Sequence, residues 1–540
     1  MDKKNAATKW MKRGSCRNVA EYIYEKTGMK QTEIMATEKT RYPCPGIKEA
    51  ADMLRKAVSQ GRHIEVVADY DADGIGSAAQ MYLILTKAGA KGFRINIPKR
   101  MLDGYGINKR IISGIPDGSL VITVDNGISA NEAISLAKAR GMEVIVLDHH
   151  IRGGELPPAD LIIDPEDDPK GWGSPFYCGA GLTFKLAECL FPDDAGFLDG
   201  LSCFAAISTI ADSVNVTRDN RNIILRGLKN LNARRCTEGL GAILDYVAVQ
   251  KNMEHIGIGE IGFKIAPIFN APGRLENDGG ILILNALFQR GEKAKKYAEK
   301  VYSINEKRKD LVQTLKEKVE SGEIGEGFLR KRNIIFLYVP DFPEGLCGIL
   351  AGSLCEDGGR PAFVMTKAED GSIKGSARSQ DGANVFNILK EAENYLTRFG
   401  GHEQAAGFSL DEGNLLDSYK AMEAAAPDPG CVSEKYYDLD VLPISLQAVH
   451  SAMGQVGVYG VGLPEPVLKV NGPVDDPNEI GEDKTHLSFK MSGVRCIGFG
   501  LAEKYRELGK PTRMTVYGTV GTNWYKGRAY VQLHVMDICA

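Results

Sequence analysis

From residue 46 onward, apolar runs of strand length alternate with stretches whose apolar residues recur at helical spacing. Helical patterns such as 76–90 and 131–141 separate the runs. Strands that are apolar on both faces and alternate with helices form parallel sheets covered on each side, so the pattern predicts an α/β fold. In such sheets, ligands bind at the carboxyl ends of the strands. The runs cover 64–70, 92–98, 119–125, 142–148 and 159–165.

The pattern changes further along the chain. Residues 183–245 are mostly of helical period, and a charged segment of the same period follows. We predict a solvated connector helix there rather than an arm that binds nucleic acid. A second α/β unit comes next, and short β-type runs with Gly and Asn turns then indicate a small barrel. The predicted units are a peripheral helical preface (1–45), an α/β domain (46–280), the connector (281–325), a second α/β domain (326–430) and the barrel (431–540).

Composition narrows the class of protein. The 540 residues are 43% hydrophobic and 25% charged, close to the average of globular proteins, which excludes a largely disordered chain. The formal net charge of −4 excludes a histone-like polycation. It leaves nucleic-acid binding open, because a local basic groove or bound divalent cations can hold phosphates on an acidic protein.

The spacing of the cysteines and the hydropathy of the chain indicate its cellular compartment. The eleven cysteines are scattered and include no Cys-x-x-Cys pair, which favours reduced thiols over a disulfide framework or a zinc ribbon. The N-terminus has no apolar run of signal-peptide length, and no stretch approaches the 18 consecutive apolar residues of a membrane span. We therefore expect a cytoplasmic protein without a membrane segment.

Acidic residues and histidines lie at the ends of three of these runs and after a further apolar segment at 207–211. Three carboxylates within five residues, as in the first group, repel one another and cost stability unless cations compensate them. Any single aspartate could instead cap a helix after a strand. The four groups are Asp69, Asp71 and Asp73; Asp125; Asp148 with His149 and His150; and Asp212.

Taken together, the four groups favour a metal site. Hard carboxylate oxygens with a few imidazoles suit Mn²⁺ or Mg²⁺ better than a structural zinc site. There are enough carboxylates for two ions bridged by one aspartate. Two such ions about 4 Å apart can activate a water molecule and stabilise the leaving oxygen of a phosphodiester.

The motifs around these groups resemble those of a known family, the DHH phosphoesterase superfamily, and within it the branch of single-strand-specific 5′→3′ exonucleases. The resemblance covers about residues 46–540. It implies a parallel-sheet DHH domain, a second α/β domain of the DHHA1 type joined by a long helix, and a C-terminal β-barrel with the oligonucleotide-binding (OB) fold. In chain order, the motifs are DYDADGIGS (69–77), ITVDNGISA (122–130), LDHH (147–150), GAGLTFKLA (179–187), ISTIADSV (207–214), NAPGRL (270–275), KGSARS (374–379) and FGGHEQAAGFSL (399–410).

The resemblance also implies a centre of two Mn²⁺ or Mg²⁺ ions. His150 falls near the scissile phosphate, as a ligand, an electrostatic stabiliser or a proton donor. Asp69 matches an acidic position of the exonuclease branch, and Val67 stands where many smaller relatives carry a histidine. The implied metal ligands are Asp71, Asp73, Asp125, His149 and Asp212, with Asp73 as the natural bridging carboxylate. Asp73, His149, His150 and Asp69 are the implied catalytic residues.

On the substrate side, Ser376 and Arg378 resemble positions that hold the terminal phosphate of the strand. Backbone amides around Gly401 could approach a phosphate, and His402 could donate to one of its oxygens. A glycine-rich turn with a solvent-facing histidine is the alternative. Further suggested contacts are Arg100, Tyr105 and Arg274. Ordinary surface or interlobe ion pairs compete with each of these readings.

The C-terminal barrel is expected to hold single strands by base stacking on aromatic side chains beside cations. The segment 523–528 fits an ordinary hairpin turn with an exposed aromatic side chain equally well. The candidate contacts are Phe499, Trp524, Tyr525, Lys526 and Arg528.

One turn departs from the family pattern. Many exonuclease relatives have a His-Pro-Gly turn before a helix of the second lobe, where this chain has Pro343-Glu344-Gly345. The departure changes whatever contact the histidine makes in those relatives.

The resemblance implies a metal-dependent exonuclease that degrades single-stranded DNA from the 5′ end to mononucleotides, in DNA recombination and repair. Single-stranded DNA is the expected partner of a monomeric enzyme, and a single-strand-binding protein or a helicase is a candidate protein partner. An oligoribonuclease or cyclic-dinucleotide phosphodiesterase of the same superfamily is the nearest alternative; the OB-like region and Val67 argue against it. A non-catalytic DNA-binding scaffold is the second alternative, but such relatives have lost metal ligands that this chain keeps.

Overall fold

The computed structural model describes residues 9–36, 42–100, 104–151, 154–165, 171–324, 333–368, 371–380, 383–427 and 434–540. Their sheets and apolar cores form three lobes. The first lobe comprises residues 42–287, the second lobe 333–427, and the C-terminal lobe 434–540 together with 9–36. No described helix combines the length and the apolar character needed to cross a membrane.

The described chain begins with a short strand and two helices. Asn18 caps the first helix through its side chain, and Gly28 ends that helix in the left-handed conformation. These elements are β1 (Lys9–Lys12), α1 (Val19–Thr27) and α2 (Gln31–Ala36).

Five parallel strands form the sheet of the first lobe. The elements are α3 (Ile47–Ser59), β2 (Ile64–Ala68), α4 (Ala72–Ala88), β3 (Phe93–Asn96), α5 (Lys109–Ser113), β4 (Leu120–Val124), α6 (Asn131–Ala139), β5 (Glu143–Leu147) and β6 (Leu161–Ile163). The strands lie in the order β3-β2-β4-β5-β6. Successive side chains of β2 enter different cores: Val66 packs toward α3 and α4, and Val67 toward α5 and α6. Burial on both faces explains the continuous apolar runs and confirms the predicted parallel sheet.

Helices complete the first lobe. A π-helical turn at Ile261–Ile265 runs directly into α11, a type of irregularity found often at functional sites. The helices are α7 (Gly179–Leu190), α8 (Ala195–Ala211), α9 (Arg218–Asn232), α10 (Glu238–Gln250), α11 (Ala266–Leu275) and α12 (Gly279–Leu287).

The connector differs from its prediction in two respects. The segment 281–325 was predicted as one helix, but α12 is separate and packs in the first-lobe core, and α13 begins only at Gly291 (Gly291–Glu320). The long helix is also not simply solvated, because Ala298, Val301 and Asn305 are buried. One side of α13 therefore faces the protein.

The second lobe is a mixed α/β unit. Its elements are β7 (Ile335–Tyr338), α14 (Cys347–Gly358), β8 (Ala362–Lys367), β9 (Ile373–Arg378), α15 (Val385–Glu391), β10 (Arg398–Gly401), β11 (Ala405–Leu410) and α16 (Leu415–Ala425). The strands lie in the order β10-β11-β9-β8-β7, and only β7 and β8 run parallel.

A seven-stranded mixed sheet forms the C-terminal lobe. Its elements are β12 (Glu434–Tyr437), β13 (Leu439–Val441), α17 (Leu446–Val456), β14 (Leu468–Pro473), β15 (Asp475–Ile480), β16 (His486–Met491), β17 (Val494–Gly498), α18 (Ala502–Glu507), β18 (Arg513–Tyr525) and β19 (Arg528–Cys539). The sheet order is β13-β14-β18-β19-β17-β16-β15, with β12 outside it. The strands β18 and β19 form a long hairpin rather than the short strands predicted.

The N-terminal segment packs on the C-terminal lobe. The strand β1 pairs in parallel with β12, and the Trp10 ring stacks on Tyr517 with centroids 4.2 Å apart. Tyr22 and Ile23 of α1 are fully buried in the C-terminal core. The described part of the segment is therefore not the peripheral helical preface that the sequence predicts, since it adds a strand and part of a core.

Candidate metal centre

Three neighbouring strands bring acidic residues to one edge of the first-lobe sheet. The register aligns the last residues of β2, β4 and β5 with one another. Asp69, Asp125 and Asp148 directly follow these strands, so they leave the sheet at the same level. All three are buried.

The first turn of α4 positions the next two carboxylates. Asp71 caps the helix by accepting hydrogen bonds from the backbone amides of Asp73 (2.9 Å) and of the residue after it (3.1 Å). The buried Asp73 carboxylate accepts from the amides of Gly179 (2.6 Å) and Ala180 (2.9 Å). These amides form the N-terminus of α7, which stabilises negative charge.

The fourth acidic group comes from the end of α8. Ser208 Oγ donates to the Ala72 carbonyl (3.0 Å), and Gly76 meets Ser208 with no room for a Cβ atom. This close approach of α8 to α4 places Asp212, which follows the last residue of α8, beside Asp73.

His149 lies among the carboxylates. Its Nε2 atom is within 3.6 Å of a carboxylate oxygen from each of Asp73, Asp125 and Asp212. Burial lowers the pKa of His149, so its ring is neutral at pH 7. A neutral imidazole is the form that ligates metal ions.

Three overlapping sets of side chains can each hold an ion. Within each set, one candidate ligand atom per residue lies within 4.8 Å of the others. The sets are Asp73, His149 and Asp212; Asp125, His149 and His150; and Asp69, Asp71 and Asp125. The structure therefore brings together every metal ligand and catalytic residue that the sequence suggested for this centre.

The positive charges near the cluster, His150 and Arg100, do not outweigh burial and the mutual repulsion of its carboxylates. Asp69 Oδ1 and Asp125 Oδ2 are buried and have no hydrogen-bond partner among the described residues. Burial and the charge of Asp71 raise the pKa of Asp69, and burial and Asp73 raise that of Asp125. Burial, Asp73 and Asp71 raise the pKa of Asp212 to about 8. Unpaired oxygens that repel one another in this way fit hard divalent cations.

His150 is placed differently from His149. Its Nδ1 atom is 2.7 Å from Asp148 Oδ1, and its Nε2 atom is 3.2 Å from the Tyr105 hydroxyl. Burial lowers the pKa of His150, but the hydrogen bond to Asp148 and the charges of nearby aspartates outweigh burial and raise the pKa to about 9. Because 43% of its side chain is exposed, His150 presents a proton at the open side of the cluster.

Tight backbone turns hold the cluster in shape. Asp125 has a left-handed φ of 59°, and Gly127, with a φ of 118°, leaves no room for a Cβ atom. The Asn126 side chain donates to the carbonyls of Val67 and Val124, which ties the turn to β2 and β4.

Three polar side chains around the cluster, Asn126, Asn270 and Asp148, have structural roles that the sequence did not predict. Asn270 Oδ1 accepts from the Ala72 amide (2.8 Å) at the start of α4. Asp148 accepts from the Ile128 amide (2.9 Å) while it holds His150. All three lie inside the family motifs quoted above, so their position in those motifs was the available signal.

The second lobe meets the first beside Tyr70, which lies between Asp69 and Asp71. The Arg100 guanidinium lies 5.0 Å from the centroid of the Tyr70 ring. Arg100 also lines a cavity of about 360 Å³ between the two lobes, called the interlobe cavity below. Its other polar or charged lining residues include Glu344, Lys374, Ser376, Arg398 and Ser409.

Arginines gather at the same junction. Arg274 Nη1 donates to the Gly345 carbonyl (3.0 Å) across the lobes. Burial and the charges of Arg100 and Arg308 lower the pKa of Arg274 to about 10, because three guanidinium groups lie close together. Arg308 belongs to α13, where the sequence predicts only a solvated connector. A concentration of positive charge beside the acidic cluster suits a polyanion.

The predicted phosphate contacts of the second lobe lie over the first turn of α14. A Cβ atom on Gly348 would come within 2.8 Å of Arg378 Nη2 and 3.5 Å of Ser376 Oγ. The structure places Gly401 and His402 at the tip of the β10–β11 hairpin, where both are exposed. The neighbouring Gly400 lines the interlobe cavity.

The predicted DNA contacts of the C-terminal lobe are not gathered at one place. Tyr525 and Arg528 flank the turn of the β18–β19 hairpin, as the hairpin alternative predicts. Trp524 stacks on His255 of the first lobe, with ring centroids 4.6 Å apart and planes at 6°. One face of Trp524 is therefore covered, whereas Phe499, after β17, is 73% exposed.

Three sequence families match the chain in order. The DHH family N-terminal domain matches residues 63–206, the DHHA1 domain 331–426 and the RecJ OB domain 438–537. These matches confirm the predicted fold class, including the oligonucleotide-binding domain.

Curated relatives and solved structures agree with the family matches. The single-stranded-DNA-specific exonuclease RecJ of Escherichia coli is 31% identical over 480 residues, 83% of this chain and 81% of the relative. RecJ of Bacillus subtilis is 32% identical over 91% of this chain, which spans 63% of that relative's length. The crystal structure of RecJ from Thermus thermophilus with Mn²⁺ has a TM-score of 0.80 at 28% identity, covering 96% of this chain and 76% of that chain. The Mg²⁺ complex of that protein has a TM-score of 0.73 at 28% identity, covering 96% and 74%.

Since three family domains stand in order and a relative above 30% identity is matched over most of both chains, this chain belongs to the RecJ family of single-stranded-DNA-specific exonucleases.

Proposed function

We propose that this chain is a divalent-metal-dependent exonuclease that hydrolyses single-stranded DNA from the 5′ end and releases mononucleotides. The observation that carries the proposal is the convergence of seven acidic and histidine side chains beside an arginine-rich junction between two lobes. Buried carboxylates that repel one another are stabilised by bound cations, and clustered arginines attract phosphates.

Two ions would be held by Asp71, Asp73, Asp125, His149 and Asp212, and Asp73 would be the carboxylate shared between them, as the family resemblance implies. A relative from Thermus thermophilus was solved with Mn²⁺ and with Mg²⁺, and the oxygen-rich donor set suits either ion. The ions would supply a nucleophile at neutral pH and neutralise charge on the phosphate.

Side chains of the protein would supply the proton that the leaving oxygen needs. Water attacks phosphorus, the bond from phosphorus to the 3′-oxygen breaks, and that oxygen needs a proton. His150 is charged at neutral pH and reaches the open side of the cluster, so it is suited to donate that proton or to stabilise the leaving oxygen. Asp148 and Tyr105 orient its ring.

The strand would enter between the two lobes. Arg100 and Arg274 would hold phosphates near the cluster, and Ser376 and Arg378 would hold the terminal phosphate. A cleft that admits one strand but not a duplex would account for single-strand specificity. Gly401 and His402 at the neighbouring hairpin tip would close over the strand.

The proposal extends to the C-terminal lobe and to the cellular role of the protein. The C-terminal lobe would bind the strand downstream through exposed aromatic and basic side chains such as Phe499 and Arg528. We place the chain in the cytoplasm as a monomer in DNA recombination and repair, supplied with strands by a helicase or a single-strand-binding protein.

Digestion of long single-stranded DNA labelled at either end tests the proposal. We expect mononucleotides from the 5′ end with Mn²⁺, none with a chelator, and none from Asp73→Ala. Cleavage confined to dinucleotides would favour the oligoribonuclease or cyclic-dinucleotide alternative. DNA binding without any cleavage would favour a scaffold.

A further inference from the structure

Arg100 connects the interlobe cavity with the metal centre, because it lines the cavity and its charge partly offsets the effect of burial on the pKa of Asp69. Arg100 lines the cavity and lies over Tyr70, whose sequence neighbours are Asp69 and Asp71 of the acidic cluster. The turn that carries Glu344 is fixed against the first lobe, because Gly345 accepts a hydrogen bond from Arg274 and a Cβ atom on it would come within 2.5 Å of the Arg274 carbonyl. A strand end held at the cluster would therefore extend into this cavity.

The cavity is basic with one exception. Arg100, Lys374 and Arg398 line it, and Glu344 is the one carboxylate among its described lining residues. Glu344 Oε2 lies 3.3 Å from Lys374 Nζ, and both side chains are more than a third exposed. The pair is therefore in contact with whatever fills the cavity.

A carboxylate in the interlobe cavity affects a bound strand end according to the charge of that end. A terminal phosphate carries about −1.5 to −2 charges at pH 7, whereas a 5′-hydroxyl end carries none. Glu344 repels the charged end and occupies Lys374, which would otherwise pair with it. The same carboxylate can accept a hydrogen bond from a hydroxyl group.

We propose that Glu344 sets the end preference of the enzyme, by weakening the hold of the interlobe cavity on 5′-phosphorylated strands relative to 5′-hydroxyl strands. The inference rests on the proposed function, because it requires the strand end to lie in this cavity. It also gives Glu344 a use in turnover. The released mononucleotide keeps the original 5′-phosphate, and a weaker hold on that phosphate lets the product leave.

Release of the first nucleotide from matched oligonucleotides tests the proposal. The substrates share one sequence and carry either a 5′-phosphate or a 5′-hydroxyl, and kcat/KM is measured for each with Mn²⁺. In Glu344→Gln, we expect the ratio of kcat/KM for the phosphate end over the hydroxyl end to rise about tenfold, through a lower KM for the phosphate end. Glu344→Asp keeps the charge and should stay close to the wild-type ratio.

A matched control exists in the same lobe. Glu412 pairs with Lys367 at the same distance of 3.3 Å, and neither residue lines the cavity. Glu412→Gln should leave the ratio unchanged. An unchanged ratio in Glu344→Gln, or an equal rise in Glu412→Gln, would overturn the inference while leaving the exonuclease proposal intact. Failure of the wild-type enzyme to cleave either substrate would instead contradict the proposed function.

Discussion

Asp125 shows how one residue combines a structural cost with a chemical role. It is buried in a left-handed conformation, and one of its oxygens has no partner among the described residues. Burial and the charge of Asp73 raise its pKa, so the ionised form is disfavoured in the metal-free protein. Groups that lower stability in this way are retained where function needs them.

We expect Asp125→Asn to separate activity from stability. Asn tolerates the left-handed φ and keeps the side-chain size, so the change mainly removes an ionisable group. Nuclease activity should fall about 10³-fold, because a metal ligand is lost. The melting temperature of the metal-free protein should rise by about 2 °C, for roughly 1 kcal/mol of relieved repulsion.

Asp199→Asn is the matched control for this variant. Asp199 pairs with Arg226 at 2.7 Å, outside the acidic cluster. The Asp199→Asn variant should retain full nuclease activity, and its melting temperature should not rise. Wild-type activity in Asp125→Asn would contradict the assignment of Asp125 as a ligand.

Protons and metal ions should compete at Asp212. Its pKa is raised to about 8, so the neutral carboxyl stabilises the fold below the ordinary pKa of about 4, and this contribution is lost as the pH rises through 8. Mg²⁺ needs the ionised form. Differential scanning fluorimetry should therefore show a larger Mg²⁺-induced rise in melting temperature at about pH 8.5 than at about pH 6. Equal rises at the two pH values would count against this competition.

The identities of the cluster residues were predictable, but some neighbours were not. Carboxylates directly after apolar runs are visible in the sequence, because parallel strands end at one edge of a sheet. No such sequence pattern marks Glu344 or Arg308. Their positions beside Lys374 and Arg274 depend on how two lobes pack, which no local pattern records.

At the scale of elements, the N-terminus of α7 supports the cluster through two backbone amides. Gly179 donates one of them to Asp73, and it lies so close to the strand end that a Cβ atom would be 2.6 Å from Asp125 Cβ. Only glycine allows the helix to begin this near to the carboxylates.

Gly179→Ala should therefore displace α7 from the cluster. We expect a loss of about 1–3 kcal/mol in the free energy of unfolding from the steric overlap, measured in urea. Activity should fall at least about tenfold, because the hydrogen bonds to Asp73 lengthen.

Gly200→Ala provides the comparison for this helical glycine. Gly200 lies within α8, and an added Cβ atom would meet nothing within 4 Å. This variant should gain about 0.5–1 kcal/mol from helix propensity and keep its activity. If Gly179→Ala and Gly200→Ala changed stability and activity to a similar degree, steric overlap at Gly179 would not explain the losses.

Elements of strong local pattern were predicted, and those that depend on distant partners were not. The apolar runs of the first sheet give its strands directly. The break between α12 and α13 was missed, since helical period continues across it and Gly291, with a left-handed φ of 55°, is the only local mark. The strand β1 was missed because its partner β12 lies far along the chain.

At the scale of the whole molecule, the C-terminal lobe is attached to the first lobe through a hairpin turn. The Glu254 carboxylate accepts from the amides of Lys526 (2.8 Å) and Gly527 (2.7 Å). Beside it, Trp524 stacks on His255. The hairpin is therefore one contact between the oligonucleotide-binding domain and the first lobe; the Val456 carbonyl, which accepts from Arg221 of the first lobe, is another.

We expect Glu254→Ala to free this turn. Hydrogen bonds to a charged group contribute about 1.5–3 kcal/mol, so amide exchange at Lys526 and Gly527 should quicken at least about tenfold. Hydrogen exchange with mass spectrometry measures this. Glu482→Ala, in the exposed turn between β15 and β16, should leave exchange at the hairpin unchanged. Slow exchange persisting in Glu254→Ala would mean that the carboxylate does not hold the turn.

The structure predicts that the acidic cluster at the strand ends holds two divalent cations. Calorimetric titration of the metal-free protein with Mn²⁺ tests it most directly, beside Asp73→Ala. Two ions bound per wild-type chain, with at least one site lost when the Asp73 carboxylate is removed, are the predicted result. Binding of no Mn²⁺ by the wild-type chain, or an unchanged stoichiometry in Asp73→Ala, would contradict the account.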